Sequence, residues 1–218
     1  MAEKKRPRRT RERILETSLA LFNRFGEPHI TTADIADEMN ISPGNLYYHF
    51  RNKDEIIGDL YAQFEAKVAP LFIAPTARAV NVEDLWLLLH LLFERMWEFR
   101  FLFRDLDELT SRNRRIALRF AELVRRGEVT VLELFRGMVE SGVMHADPRE
   151  LAACARNVVI VATYWMSFER ISRPPPAGSG SDAAEHLERA AYQVLALIAP
   201  FLVGDARALI EKLGERYL

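Results

Sequence analysis

Apolar residues recur at helical spacing through nearly the whole chain, and this feature constrains the fold more than any other. In the first such segment one face carries Ile14, Leu19 and Phe22, and Gly26 then ends the pattern. No segment shows the sustained two-residue alternation typical of a half-buried strand. The sequence therefore predicts an all-α protein.

Capping residues mark where several helices begin. Thr31 is followed three residues later by Asp34, and serine or aspartate precedes proline at Ser42-Pro43 and Asp147-Pro148. The expected helices are one that ends at Phe25 and others near 32–39, 43–50, 53–68, 82–99, 101–110, 114–141, 148–170, 184–203 and 205–217. A flexible loop is expected over 173–181, which contains three prolines and two glycines.

Charge is unevenly distributed, although the chain as a whole carries a formal net charge of -1. Residues 1–53 contain ten Lys and Arg against seven Asp and Glu, whereas residues 54–218 contain 20 against 24. Seven of the basic side chains lie within the first 13 residues. We therefore expect two domains: 1–53 with a basic arm that meets an anion, and a larger helical domain, 54–218.

Composition argues against several classes of protein. The one cysteine, Cys154, excludes an intramolecular disulfide framework and a cysteine-based zinc site. No two of the five histidines have metal-ligand spacing with an acidic partner, and no phosphate-binding glycine loop is present. The sequence predicts no catalytic residue, no metal and no cofactor, so we do not expect an enzyme.

Targeting and membrane signals are weak. The basic N-terminus is followed by Thr10-Arg11-Glu12-Arg13, where a signal peptide has an apolar core. The longest uncharged stretch, 190–204, has 15 residues, whereas a membrane span needs about 20. We expect a cytoplasmic protein with no membrane association.

Two short helices joined by a tight turn, 32–39 and 43–50, form a helix-turn-helix unit. The second helix has only two plainly apolar residues, Leu46 and Phe50, which are four apart and can anchor it to neighbouring helices. Its polar and aromatic side chains then face outward or sideways. Such a helix suits insertion into the major groove of DNA, which is about 12 Å wide.

Each outward side chain has a plausible role on double-stranded DNA. Asn45 can pair with an adenine edge, and Gly44 lets the backbone come close. Tyrosines can pack on thymine methyls or bind phosphates, and histidine, lysine and helix N-termini can bind phosphates. The expected DNA-binding residues are Thr31, Thr32, Ser42, Pro43, Gly44, Asn45, Tyr47, Tyr48, His49 and Lys53. From the pattern alone, a helix-turn-helix can also be a packing unit and a basic arm a solvated tail.

The most specific motif in the chain is the run Leu46-Tyr47-x-His49-Phe50 with Lys53 three residues later. With Phe25-Gly26, the 31–36 segment and the 41–50 segment, it resembles the DNA-binding domain of the TetR (tetracycline repressor) family. That resemblance covers Ile14 to Ile57. It implies an all-helical homodimer in which a small molecule in the C-terminal domain moves the two DNA-binding heads apart and releases the operator.

A narrower resemblance lies in the C-terminal part. The segments 83–91, 94–96 and 100–106 are similar to the PhaD-like subgroup of that family, regulators of polyhydroxyalkanoate genes. In that subgroup the effector is a metabolite of acyl-thioester type. The resemblance therefore gives a hint about the class of ligand.

The segment from Trp86 to Phe93 is apolar on all sides except His90, as in the central helix of a domain. Most of the aromatic residues around it are expected to be core, but some can line an effector cavity. His90 is more typical of a satisfied core histidine, and Arg104 can pair locally with Asp105. The candidate effector-binding residues are Phe64, Val68, Leu88, His90, Phe93, Trp97, Arg104, Met138, Asn157, Tyr164 and Trp165.

Two late helices, 148–170 and 184–203, are apolar over more than one narrow stripe, and both carry small alanines. Each is expected to bury one face inward and another in a partner. The sequence therefore predicts a twofold homodimer through a four-helix bundle. Twofold symmetry places two recognition helices about 34–36 Å apart, or a multiple of that distance, so the operator should be palindromic.

These observations predict a sequence-specific transcriptional regulator, expected to be a repressor that a small hydrophobic effector, of acyl-thioester or fatty-acid type, releases from its operator. The alternative is a ligand-independent or activating DNA-binding module that works through a protein partner. A closed apolar cavity of several hundred Å³ favours the first reading, and a filled core favours the second.

Overall fold

The fold is all-α, as predicted. The computed structural model describes residues 6–73, 79–173 and 183–217, and these residues form eleven α-helices and no β-strand. The helices are α1 Arg6–Phe25, α2 Thr32–Glu38, α3 Pro43–His49, α4 Lys53–Val68, α5 Val82–Glu98, α6 Arg100–Arg104, α7 Leu106–Arg112, α8 Arg114–Glu140, α9 Pro148–Ser172, α10 Ala183–Ile198 and α11 Gly204–Tyr217. Except for Arg173, the expected loop 173–181 lies outside the described residues.

The capping signals act where the sequence predicts them. Thr31 and Asp34 form a reciprocal capping box at the start of α2, and the Ser42 hydroxyl accepts a hydrogen bond from the Asn45 N–H at 3.2 Å. Asp147 caps α9 in the same way, with Glu150 completing the box. These short polar side chains satisfy N–H groups that have no partner within the helix, which fixes the helix starts.

Two of the predicted helices differ from the observed ones by more than two residues or in number. The single helix expected over 101–110 is two helices, α6 and α7, because the backbone leaves helical geometry at Asp105, where ψ is 26°. The helix expected to continue to residue 203 ends at Ile198 and is followed by a 3-10 turn, Ala199–Phe201. Pro200 explains the second difference, because proline has no N–H to donate and its ring clashes with the preceding turn of an α-helix.

The described residues pack into two compact units. Unit 1 contains the chain as far as Ala66 together with Phe99–Leu118, and unit 2 contains Lys67–Glu98 and the chain from Arg119 onward. Helices α6 and α7 therefore belong with the helix-turn-helix by packing. The boundary predicted at residue 53 divides the chain by function, between DNA binding and effector binding, and stays a prediction.

Aromatic side chains fill the core of unit 1. Phe64 is fully buried, and its ring centroid lies 5.8 Å from that of Phe99 and 5.3 Å from that of Phe103. The Phe22 ring on α1 lies 5.3 Å from that of Phe101. These contacts join α1, α4 and α6 around one core.

Unit 2 is built around α10, which packs against α5, α9 and α11. Close packing also fixes α8, since a Cβ added at Gly137 would lie only 2.7 Å from the Val80 Cγ2 atom. Within the described residues one helix, α9, is long and apolar enough to cross a membrane by length and composition. One such helix is weak evidence for a membrane span. Helix α9 buries Leu151, Ala155 and Val158.

Candidate nucleic-acid interface

Helix α3 presents a polar and aromatic face to solvent. Its two apolar anchors, Leu46 and Phe50, are 0% and 1% exposed, whereas Tyr47 and Tyr48 are 51% and 79% exposed. Asn45 is also exposed, and His49 is half-buried. The structure therefore places the side chains as the sequence predicts, with the anchors inward and the hydrogen-bonding groups outward.

The turn between α2 and α3 is tight and held by backbone hydrogen bonds. Asn40 adopts a left-handed conformation with φ of 52°, which asparagine tolerates better than most residues. The Asn40 N–H donates to the Asp37 carbonyl and the Ile41 N–H to the Ala36 carbonyl, both at 3.0 Å. This geometry fixes the direction in which α3 leaves α2.

A side-chain contact also joins the two helices. The Tyr47 and Thr32 hydroxyl oxygens are 3.0 Å apart and share a hydrogen bond. Thr32 is half-buried, and Thr31, Ser42, Pro43 and Gly44 are exposed. Nine of the ten predicted DNA-binding residues thus belong to α2, to α3 or to the residues that cap these helices.

Lys53, the tenth predicted residue, has a structural role that the sequence did not suggest. Its ammonium group donates to the Glu27 and Ile30 carbonyls at 3.0 Å and pairs with the Glu27 carboxylate at 2.7 Å. Its side chain is only 23% exposed. Lys53 therefore holds the 3-10 turn Glu27–His29, which leads into α2.

The partner of Lys53, Glu27, is fully buried and binds a second cation. The Arg112 guanidinium on α7 donates to the Glu27 carboxylate at 2.9 Å. Burial alone would lower the Arg112 pKa. The hydrogen bond from Arg112 to Glu27 and the negative charges of Glu27, Asp54 and Glu108 outweigh that effect, so the Arg112 pKa is raised. Sequence reasoning missed Glu27, because its partners are 26 and 85 residues away and no local pattern reveals them.

Further contacts from α6 and α7 reach the end of α1. Arg104 donates to the Phe22 carbonyl at 2.6 Å, and the Phe101 N–H donates to the Asn23 side chain at 3.1 Å. Together with the Glu27–Arg112 pair they form what we call the corner clasp, the contacts from residues 101–112 to residues 22–27. The clasp ties the corner before α2 to α6 and α7.

The predicted effector-binding residues do not all come together. Phe64 and Arg104 belong to unit 1, where Phe64 is core and Arg104 serves the corner clasp and lies 3.6 Å from Asp105. The buried members in unit 2 are Val68, Leu88, Phe93 and Met138. Asn157 and Tyr164 lie on the exposed side of α9.

The remaining candidates have aromatic neighbours. His90 stacks on Trp86 with the ring centroids 5.1 Å apart, and Trp97 packs against His186 at 4.6 Å. The Trp165 indole N–H is buried and has no hydrogen-bond partner within the described residues. An indole donor in this position can bind an acceptor atom of a ligand.

Unit 2 also contains a buried polar cluster that sequence reasoning missed. Glu169 on α9 is only 8% exposed. Its carboxylate accepts a hydrogen bond from Arg189 at 2.6 Å and also pairs with His186. His186 is 4% exposed and packs against Trp97. The three polar side chains are 3 to 20 residues apart on two helices, and only the fold makes them neighbours.

One face of α9 exposes large apolar side chains. Ile160, Tyr164, Phe168 and Ile171 are 51%, 48%, 59% and 80% exposed. Their spacing places them along one side of the helix. Cys154 on the same helix is buried, and burial raises the Cys154 pKa to about 11, so that thiol stays protonated at neutral pH.

Two family profiles together match residues 14–210. The profile described as bacterial regulatory proteins of the tetR family matches residues 14–67, and the TetR profile, described as a bacterial transcriptional repressor, matches residues 63–210. A solved TetR-family transcriptional regulator from Marinobacter aquaeolei is 34% identical, with a TM-score of 0.85, over 95% of this chain and 98% of that one.

Curated relatives match over a shorter segment. The probable acrEF/envCD operon repressor of Escherichia coli is 36% identical over 55 residues, which is 25% of each protein, so the match spans about a quarter of that relative's length. The transcriptional repressor KstR2 of Mycobacterium tuberculosis is 39% identical over 54 residues, 25% of this chain and 27% of that protein. The solved KstR2 structure, 20% identical over 89% of this chain and 96% of that one, has a TM-score of 0.62 and shares the fold.

Members of this family are transcriptional regulators rather than enzymes, and they bind DNA, dimerise and bind small-molecule effectors. The helix-turn-helix in unit 1, the helical unit 2 and the profile matches across 14–210 agree with that plan. The chain belongs to the TetR family of bacterial transcriptional regulators.

Proposed function

We propose that this protein is a cytoplasmic repressor that binds a palindromic operator as a homodimer and is released by a small hydrophobic effector. The observation that carries the proposal is the outward face of α3, where Tyr48 is 79% exposed while Leu46 beneath it is fully buried. A helix anchored on one side and polar and aromatic on the other fits the major groove.

The proposed DNA contacts divide into two kinds. Asn45, Tyr47 and Tyr48 read base edges and thymine methyls, and Thr31, Thr32 and His49 bind phosphates. Ser42, Pro43 and Gly44 set the start of α3 and let its backbone approach DNA. Lys53 acts here as a positioning residue for the turn before α2, because its ammonium group is already bound to Glu27 and Ile30.

The proposed homodimer forms through α9 and α10. Ile160, Tyr164 and Phe168 make an exposed apolar stripe on α9, and Ala196 on α10 is also exposed. Surfaces of obligate dimers resemble a protein core cut in half, and this stripe has that character. Twofold pairing of the chains presents two copies of α3 to the two half-sites of a palindrome.

The proposed effector is an apolar molecule of acyl-thioester or fatty-acid type held in unit 2. Buried Val68, Leu88, Phe93 and Met138 supply apolar lining, and the Trp165 indole N–H supplies a donor for a carbonyl oxygen. Helices α6 and α7 follow α5 and precede α8 in the chain. A shift of α5 or α8 on binding is therefore passed along the chain to the corner clasp and from there to the corner before α2.

Selection from random duplexes, followed by fluorescence anisotropy at about physiological salt, tests DNA binding. We expect one enriched palindromic sequence bound with a Kd of about 10 nM or tighter, and a scrambled duplex bound at least 1,000-fold more weakly, about the margin usual for specific binding. Failure to enrich any sequence, with equal weak binding to all duplexes, would reject the proposal.

The same complex tests release. Acyl-coenzyme A esters and free fatty acids of graded chain length are titrated into the labelled complex, and aromatic acids serve as controls. We expect the acyl compounds to lower anisotropy with an affinity that rises with chain length, since each buried methylene contributes about 0.8 kcal/mol. In Arg112→Ala, which removes the Glu27–Arg112 pair from the corner clasp, the same ligand should bind but release DNA less completely.

A further inference from the structure

A shallow groove crosses the surface of unit 1 between the end of α1 and α2. Its volume is about 620 Å³, and Leu21, Phe25 and Ile30 line its apolar part. Phe25 is 48% exposed, so its ring is accessible from solvent. A groove that sets apolar side chains beside carboxylates can receive a side chain from another molecule.

Three carboxylates form the acidic edge of the groove: Asp34, Asp37 and Glu38. Asp34 is bound to Thr31, but Asp37 and Glu38 are exposed and make no ion pair with any described residue. The Arg24 guanidinium, 4.8 Å from the Phe25 ring centroid, offsets only part of this negative charge. The charge favours an apolar group flanked by cations.

The start of α8, also in unit 1, presents the complementary surface. Leu118 is 63% exposed. Arg114 and Arg115 lie four and three residues before it on the same side of the helix. Both are exposed and have no side-chain partner within the described residues. We call these three residues the basic knob.

We propose that the acidic groove of one molecule receives the basic knob of a second copy of this chain. Leu118 would pack on Phe25 and Leu21, and the two guanidinium groups would pair with Asp37 and Glu38. Groove and knob are different surfaces, so the contact is heterologous and links dimers in a row instead of closing on itself. Linked dimers fill adjacent operators cooperatively, which goes beyond binding at a single operator.

Sedimentation velocity of the full-length protein tests the contact. The protein is run from about 5 to about 200 µM, a range that populates weak contacts, in about 50 mM and about 500 mM salt. We expect species larger than the dimer at low salt that grow with concentration and are largely lost at high salt. Glu38→Arg and Arg115→Glu should each remove them and leave the dimer intact, whereas the charge-matched controls Glu16→Arg and Arg136→Glu should not.

A mixing experiment gives the sharper result. The Glu38→Arg protein keeps an intact knob, and the Arg115→Glu protein keeps an intact groove. Mixing equal amounts should therefore restore association that neither protein shows alone. The proposal is overturned if the wild type stays dimeric throughout, if the controls act like the test variants, or if mixing restores nothing. Dissociation of the dimer itself by Arg115→Glu would also overturn it, since the knob would then belong to the twofold interface.

Discussion

Tyr48 and Leu46, two residues apart on α3, separate DNA binding from folding. Leu46 is fully buried, whereas Tyr48 is 79% exposed and makes an edge contact with the His49 ring, with the ring centroids 5.1 Å apart. Removing an exposed side chain changes stability by less than about 0.5 kcal/mol, whereas truncating a buried leucine costs about 2–5 kcal/mol. The two positions therefore give opposite experimental signatures.

We predict that Tyr48→Ala unfolds in urea like the wild type but binds the selected duplex at least about tenfold more weakly, the loss of one base contact. Leu46→Ala should show a lower free energy of unfolding. A Tyr48→Ala protein with unchanged affinity would mean that α3 does not face the bases.

The Asp34 carboxylate, in the capping box of α2, makes the stability of the fold depend on pH. The Thr31 hydroxyl and N–H both donate to its carboxylate at 2.7 Å, and these hydrogen bonds lower the pKa of Asp34. A lowered folded pKa stabilises the fold above the unfolded value of about 3.9, and that contribution is lost as pH falls through the folded value. The thermal unfolding temperature should therefore fall less steeply between pH 6 and pH 3 for Asp34→Asn than for the wild type. Asp37→Asn, which removes a carboxylate in the same helix that is not bonded to Thr31, serves as the control, and its unfolding temperature should fall as in the wild type. An equally steep fall for Asp34→Asn would show that the Thr31–Asp34 hydrogen bonds do not contribute to the pH dependence.

Two glycines inside helices show that helix propensity alone does not determine how a substitution changes stability. A Cβ at Gly58 in α4 would meet nothing within 4 Å, whereas a Cβ at Gly137 in α8 would lie 2.7 Å from one Val80 methyl and 3.0 Å from the Val80 Cβ. Alanine is favoured over glycine in a helix interior by about 0.5–1 kcal/mol, and overpacking costs about 1–3 kcal/mol.

We therefore predict opposite signs for the same substitution. Gly58→Ala should raise the free energy of unfolding by about 0.5–1 kcal/mol, and Gly137→Ala should lower it because the clash with Val80 outweighs the gain in helix propensity. Urea denaturation of both variants measures the difference. Stabilisation by both would mean that the α8–Val80 contact is looser than the structure has it.

Local chemistry explains which elements the sequence could predict. The starts of α2, α3 and α9 depend on residues within three positions of each other, such as Thr31 with Asp34, and their signals are visible in the chain. The break at Asp105 coincides with tertiary contacts, because Arg104 reaches the end of α1, 82 residues away. The outward face of α3 was predictable from two anchors at helical spacing, but the structural role of Lys53 was not, since it depends on buried Glu27.

At the scale of the whole molecule, the apolar stripe on α9 is the clearest sign of a partner chain. Phe168→Arg should shift the protein from dimer to monomer in sedimentation velocity at about 1 µM, because a charge cannot be buried in an apolar interface without a large penalty. Leu87→Arg on α5, with a side chain 50% exposed, serves as the control and should stay dimeric. A Phe168→Arg dimer as stable as the wild type would place the interface elsewhere.

In the proposed complex, two copies of α3, related by the dimer axis, read two half-sites of one operator. The most direct test is a titration of the selected duplex against the same duplex with one half-site scrambled, read by fluorescence anisotropy. The account predicts two protomers per intact duplex and a loss of at least about 100-fold when one half-site is destroyed, since mismatches cost about 1–3 kcal/mol each. Equal affinity for both duplexes would contradict it, because a single head would then supply all the specificity.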